Sequence, residues 1–222
     1  MTTLTSLVDR VRLVLNDAEK KRFSDELLTV AIRQALELID LRLPQMEIAE
    51  ITVAVVGRDQ RLSALTRCLY LVKVIYPFPS AGIIELEPGT HFSYQMEAGI
   101  PFLHFHGDII PQLGEVLQVH YAAPNIIEGL DAETTTTLPV VCEPALVNGA
   151  AAQACSLRAA SLVESYGARP GESAQLLETS RAWMDRYNAM LDGLRVLQEF
   201  GFPPGFALDA WDACGRRRAE PR

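Results

Sequence analysis

The chain has 222 residues, 49% hydrophobic and 22% charged, which is enough to bury a sizeable core within one domain or two closely joined ones. Its formal net charge of -8 argues against tight binding to nucleic acid, because gripping phosphates takes a cationic surface that releases counterions. No window reaches the roughly 18 apolar residues that span a bilayer. The opening Met1-Thr2-Thr3-Leu4 lacks a basic stretch leading into an apolar one, so a folded, soluble protein kept in a cytosolic setting is expected.

The first predicted element is a helix. Leu4, Leu7, Val8, Val11, Val14 and Leu15 recur at helical spacing, with Asp9, Arg10 and Arg12 on other faces. Asn16-Asp17 breaks that pattern. Ser24 then supplies an N-cap, and Asp25 and Glu26 meet the positive end of the helix dipole, so a second helix runs to about Leu41 and is closed by Pro44. Its buried stripe is predicted to be Leu27, Leu28, Ala31, Ile32, Ala35, Leu36 and Ile39. The short joint makes the two helices antiparallel neighbours.

Past Pro44 the period changes. Ile48, Ile51, Val53 and Val55 are β-rich, and Gly57-Arg58-Asp59-Gln60 reads as a turn into Arg61-Leu62. Short strands are expected at Cys68 to Tyr76, Ile83 to Glu87, Phe92 to Met96, Phe102 to His106 and Val116 to Tyr121, punctuated by Gly and Pro. Such closely spaced strands form an antiparallel sheet or a small sandwich. Asn125 to Thr137 is a polar connector whose threonines cap or extend a loop. A third helix is predicted from Glu143 to about Tyr166, with Pro144 tolerated in its first turn. Its run Asn148-Gly149-Ala150-Ala151-Ala152-Gln153-Ala154 is short in side chain on every face, so that another helix can come close. Gly167 ends it. The fourth helix, about Glu172 to Phe200, carries Leu176, Ser180, Trp183, Met184, Tyr187, Leu191 and Leu194 on one stripe, with Trp183 and Tyr187 as core aromatics.

The expected fold class is α+β: a helical bundle of N-terminal and C-terminal helix pairs, a central antiparallel β insert and an extended C-terminal arm. The division is 1-45 for the first helix pair, 46-125 for the β insert, 126-200 for the connector and second pair, and 201-222 for the arm. Residues 201-222 hold Phe202, Phe206, Leu208 and Trp211 as apolar anchors and end in Arg216, Arg217 and Arg218. A purely solvated tail has little use for Trp, so this segment is read as a docking arm.

Catalytic chemistry finds little support. The four cysteines, Cys68, Cys142, Cys155 and Cys214, contain no CxxC pair and read as free thiols. No GxSxG, GxxxxGK[ST] or GxGxxG occurs. The sharpest alternative is a metal-dependent enzyme, because His104 and His106 share one face of a strand and His120 on the next strand completes a triad if the register allows. A structural role for these histidines is preferred, with no catalytic residue, metal or cofactor assigned, since the spacing supplies no supporting carboxylate.

Three segments together resemble the head-to-tail adaptor, or connector, proteins of tailed bacteriophages. The run RVRLVLNDAEKKRFSDELLTVAIRQALELI, Arg10 to Ile39, is similar to their opening: a helix ending in Asn-Asp, a short loop, an aromatic, then Ser-Asp-Glu-Leu-Leu starting a second helix. GIPFLHFHGDIIPQLGEVLQVHYAAP, Gly99 to Pro124, resembles their hairpin ending in Tyr and Pro, and LPVVCEPALVNGAAAQAC, Leu138 to Cys155, their return helix. The resemblance covers about Leu4 to Leu197, and its motifs are structural, so it is an analogy at the level of fold. It implies a virion protein of the neck, made in the host cytoplasm, that forms a ring, usually of twelve copies, beneath the portal. Its partners are then further copies of itself, the portal protein and a tail or neck protein, with DNA passing through an acidic lumen without specific binding and with no membrane. The arm reaching the portal places Phe202, Phe206, Trp211, Arg216, Arg217 and Arg218 at that contact. A head-completion or tail-terminator protein is the other virion role that this fold class accommodates.

Overall fold

The computed structural model describes residues 2-65, 67-79, 84-98, 100-164 and 171-199. Among them are four α-helices, α1 (Leu4–Val14), α2 (Asp25–Asp40), α3 (Glu143–Glu164) and α4 (Glu172–Glu199), and seven strands in two antiparallel sheets. The fold is therefore α+β. The chain divides into two compact units. One comprises residues up to Leu43 together with those from Ile126 onward, and the other is Pro44–Asn125.

In the helical unit one hydrophobic core takes side chains from all four helices. Leu28, Ala31, Ile32, Ala35, Leu36 and Ile39 of α2 are buried as their spacing predicts, whereas Leu27 is only half-buried. Ser24 caps α2 by accepting the Leu27 N–H, and Thr3 caps α1 through a reciprocal box with Ser6. The connector after Ile126 is tied down by its threonines. Thr137 Oγ1 accepts the Ile126 N–H at 3.0 Å, Thr136 Oγ1 accepts the Glu128 N–H at 2.9 Å, and the Thr136 hydroxyl donates to the Thr2 carbonyl at 2.6 Å.

α3 is the centre of this unit because it is thin. Ala145, Ala150, Ala151, Ala152 and Ala154 are fully buried, and a Cβ added at Gly149 would lie 2.8 Å from two ring carbons of Tyr187 and 3.1 Å from Ala35 Cβ. The Tyr187 ring of α4 thus lies against α3 at the one position without a side chain. Its hydroxyl donates to the Ala35 carbonyl of α2 at 3.0 Å, joining three helices through one side chain. Trp183 is half-buried and carries the Arg186 guanidinium 4.7 Å from its ring centroid.

The α1–α2 joint corrects one expectation. Arg12 does not face solvent; it is 3% exposed and donates to Asp17 Oδ2 at 3.1 Å, to the Phe23 carbonyl at 2.8 Å and to Asp25 Oδ1 at 2.5 Å. The buried Asp17 carboxylate in turn accepts the N–H groups of Lys21, Arg22 and Phe23, each at 3.0 Å. The joint is wound around one carboxylate, with Phe23 driven into the core as its plug. Burying a charge this deeply is tolerable only when it is paired and its remaining lone pairs are bonded, as here.

The second unit holds β1 (Gln45–Thr52), β2 (Asp59–Arg61), β3 (Tyr70–Phe78), β4 (Ile84–Leu86), β5 (Phe92–Glu97), β6 (Ile100–Phe105) and β7 (Val116–Ala123). One sheet has the order β1-β7-β3-β4 and the other β2-β6-β5. A single core that includes Val74, Phe92, Leu103, Phe105, Leu117 and Val119 draws on both, so of the two arrangements expected, one antiparallel sheet or a small sandwich, the unit takes the second. Asp59 to Arg61, read as turn and lead-in, is a strand because it pairs with Phe102 to His104 on β6. On β1 the pleat leaves Met46 and Ile48 exposed while Ala49 and Ile51 pack inward.

Two stability experiments follow from the helical unit. Arg12→Met strands the Asp17 carboxylate and should cost about 3–5 kcal/mol in urea denaturation, whereas Arg10→Met, which removes the half-exposed partner of the buried Glu143, should cost less, about 1–3 kcal/mol. Gly149→Ala gains about 1 kcal/mol of helix propensity but overpacks against Tyr187 by about 1–3 kcal/mol, so its melting temperature should fall.

Candidate functional site

The six residues predicted to contact a partner, Phe202, Phe206, Trp211, Arg216, Arg217 and Arg218, lie outside the described residues, as does Cys214. The remaining candidates lie in the β unit. His104 on β6 and His106 just after it do share a face, with ring centroids 5.8 Å apart. One ring nitrogen of each has a partner: His104 Nδ1 lies 2.6 Å from Asp59 Oδ1 on β2, and His106 Nε2 lies 3.1 Å from Ser93 Oγ on β5. His120 belongs to the other sheet, on β7 between Ile48 and Lys73, with Nε2 3.3 Å from Gln118 Oε1. The register therefore separates the imagined triad. Among the described residues no group of three or more His, Cys, Asp or Glu is placed to hold a metal ion.

The thiols are equally withdrawn. Cys68, Cys142 and Cys155 are buried, and burial pushes the first two up to about 11, away from the thiolate that a nucleophile requires.

What the β unit presents instead is a pair of apolar loops. The β1–β2 connection and the β6–β7 connection both pass from one sheet to the other, and they do so side by side. The Gly57 N–H donates to the Pro111 carbonyl at 3.2 Å, and Val53 exchanges backbone bonds with Glu115 and Gly114 at 2.8 and 3.0 Å. On these loops Val55 is 67% exposed, Val56 52%, Ile110 44% and Leu113 68%. Sequence reasoning counted Val55 toward a strand; it lies past the end of β1, on the surface.

The loops are held from beneath by polar groups. Gln60, 5% exposed, donates through Nε2 to both the Val55 and the Gly57 carbonyls at 2.8 Å. The Glu115 carboxylate accepts the Tyr76 hydroxyl and, at 2.8 Å, the Gln112 N–H, and Gln112 Nε2 donates to the Ile110 carbonyl at 2.8 Å. Gly114, at φ +84°, turns the second loop in a conformation that an L side chain rarely adopts. The loops thus display four aliphatic side chains on backbone held in place by its own hydrogen bonds. The signal was legible in principle: two Gly-terminated runs, Val53 to Gly57 and Ile109 to Gly114, carry no charge in a chain that is 22% charged.

No protein-family model matches this chain, and no curated protein does. Among solved structures, it is similar to a chain of the neck of an empty GTA particle computed with C6 symmetry, at 18% identity and a TM-score of 0.29, covering 80% of this chain and 87% of that chain. A TM-score this low lends nothing to the functional readings below.

The phenols beside the carboxylates set a pH dependence. Burial, reinforced by the hydrogen bonds to Glu115 and Glu47, pushes Tyr76 and Tyr121 up to about 12, so the folded chain keeps protons that the unfolded chain loses near pH 10. The stability they contribute is complete below about pH 10 and is lost as pH rises through about 12. Urea midpoints measured from pH 9 to 12 should fall more steeply for the native sequence than for Tyr76→Phe/Tyr121→Phe. Equal slopes would show that other groups set the alkaline limit.

Proposed function

We propose that this chain is a noncatalytic structural protein of the neck of a tailed-phage particle, an adaptor whose copies form a ring beneath the portal and link it to tail or neck proteins around the DNA channel. The observation that carries the reading is the arrangement of parts. The helices before and after the β unit, α1–α2 and α3–α4, build one helical core, and the β unit comes between them in the chain with an exposed apolar loop pair. That is the layout of a module made to be held and to hold, and it follows the order of parts in the adaptor proteins that the sequence resembles.

The resembling segment Arg10 to Ile39 also has a physical rationale here. Its Asn-Asp, aromatic and Ser-Asp residues are the ones that wind the α1–α2 joint: Asn16 at positive φ, Asp17 as the buried acceptor, Phe23 as the plug, Ser24 as the cap and Asp25 as a second partner of Arg12. The metal-enzyme alternative has lost its ligand set to the register of the two sheets.

In this reading the acidic chain surrounds DNA without gripping it. The ring closes by heterologous contacts, probed as a mass of twelve copies, and the arm 201-222 engages the portal. The full chain and a chain lacking Gly201 to Arg222 should be mixed with portal rings from the same genome and weighed. The full chain should co-migrate as a large ring complex and the truncated chain should not. Undiminished portal binding by the truncated chain removes the docking arm. Binding to tail tube in place of portal selects a tail-terminator role.

A further inference from the structure

We infer, independently of the neck reading, that the free edge of β1 takes an added strand and so lengthens the sheet β1-β7-β3-β4. The added strand is an extended segment of a different polypeptide, with a Lys or Arg followed by apolar residues at the next two alternate positions.

The edge follows from the hydrogen bonding. No strand lies beyond β1 in its sheet among the described residues. Val53, which continues the β1 register, donates its N–H to the Glu115 carbonyl at 2.8 Å and accepts the Gly114 N–H at 3.0 Å. The carbonyl of Ala122, opposite Met46 on β7, turns the other way and accepts the Leu69 N–H at 2.8 Å. Backbone groups alternate sides along an antiparallel strand, so Met46, Ile48, Glu50 and Thr52 direct their N–H and C=O groups to the open side. Donors and acceptors repeated at every second residue along an extended line match the main chain of another β-strand, which is why open edges recruit strands.

This edge lacks the usual guards. β1 is eight residues long, its register with β7 is unbroken, and it holds no Pro, Lys or Arg, whereas the edge strands β2 and β4 have three residues each. Its inward carboxylate, Glu47, accepts the Tyr121 hydroxyl and is thereby drawn toward β7, away from the open side.

Side chains select the occupant. Met46 and Ile48 are 49% and 61% exposed, and Glu50 is exposed two residues further along the same face. A strand laid antiparallel, as every pair in this sheet is, brings one side chain beside Glu50 and its next two alternate ones beside Ile48 and Met46. A cation suits the first place and apolar residues the other two. The described edge strands of a second copy do not supply that pattern. β1 has two Glu and no cation, β5 has no Lys or Arg and ends at Glu97, and β2 and β4 are too short to reach from Glu50 to Met46.

The test uses the full chain and end-blocked, fluorescein-labelled synthetic peptides, read by fluorescence anisotropy. The matching peptide is Thr-Arg-Thr-Val-Thr-Val-Thr, and a control with Pro for its first Val lacks the main-chain donor opposite Ile48. The native chain should bind the matching peptide at least about tenfold more tightly than the control. Glu50→Lys should weaken that binding about three- to tenfold and should prefer a peptide with Glu in place of Arg. Ile48→Pro, a change that an edge strand tolerates, should weaken it about tenfold. Circular dichroism melts establish that the variants are folded; if Ile48→Pro lowers the melting temperature, the charge exchange at Glu50 decides alone. No binding at millimolar peptide, or equal binding of matching and control peptides, overturns the strand addition. A Glu50→Lys chain that keeps the native preference for Arg overturns the assigned pattern. Sedimentation of the native chain as a dimer that Ile48→Pro dissociates overturns the different polypeptide in favour of a second copy. The portal mixture tests the neck reading separately from all of these outcomes.

Discussion

The helical unit depends on one side chain crossing one gap. Tyr187 lies against α3 where Gly149 has no Cβ, and its hydroxyl ends on the Ala35 carbonyl of α2. Because α2 precedes the β unit in the chain and α4 follows it, this contact closes the core that the helices before and after that unit share. The alanines of α3 make it possible. A helix with larger residues there would hold α2 and α4 too far apart for a phenol to bridge them.

Elsewhere the chain uses a buried polar group where a loop must keep its shape. The Asp17 carboxylate gathers three backbone N–H groups of the α1–α2 joint, and the Gln60 amide gathers two carbonyls of the β1–β2 loop. Each arrangement satisfies backbone groups that neither helix nor sheet reaches, which is why the flanking residues can spend their side chains on other work. In the first case that work is filling the core, through Phe23. In the second it is display, through Val55 and Val56.

Much of the fold was legible because it is periodic. The α2 stripe reads directly as buried positions from Leu28 to Ile39, and in α4 Leu176, Ser180, Tyr187 and Leu191 are buried while Trp183 and Met184, on the same stripe, are half-buried. The failures came where a residue's role is set by a distant partner. Arg12 looks like a solvent-facing charge until Asp17 and the Phe23 carbonyl are seen to enclose it. Asp59 to Arg61 looks like a turn until β6 pairs with it, and β1 finds its neighbour in β7, at the other end of the unit. The same long-range pairing decides the histidines, since no local spacing reveals that His120 lies in a different sheet from His104. Of the candidate site, the docking-arm residues Phe202 to Arg218 lie outside the described residues. The loops showed in the sequence as uncharged Gly-terminated runs, Val53 to Gly57 read in part as strand and Pro111 to Gly114 as turn, but their exposure did not show, because it is a property of packing.

The insertion of one unit within another also fixes an order of synthesis. α1 and α2 leave the ribosome before the β unit, with the stripe that faces α3 already complete, and the whole of residues 44–125 must follow before α3 exists to cover it. At roughly 5–20 residues per second that interval is on the order of several seconds, far longer than a hairpin takes to form. The contiguous β unit has time to fold while the first helix pair waits with its apolar face uncovered. Nascent chains of this protein therefore pass through a stage in which α1 and α2, made before the β unit, are buried after it.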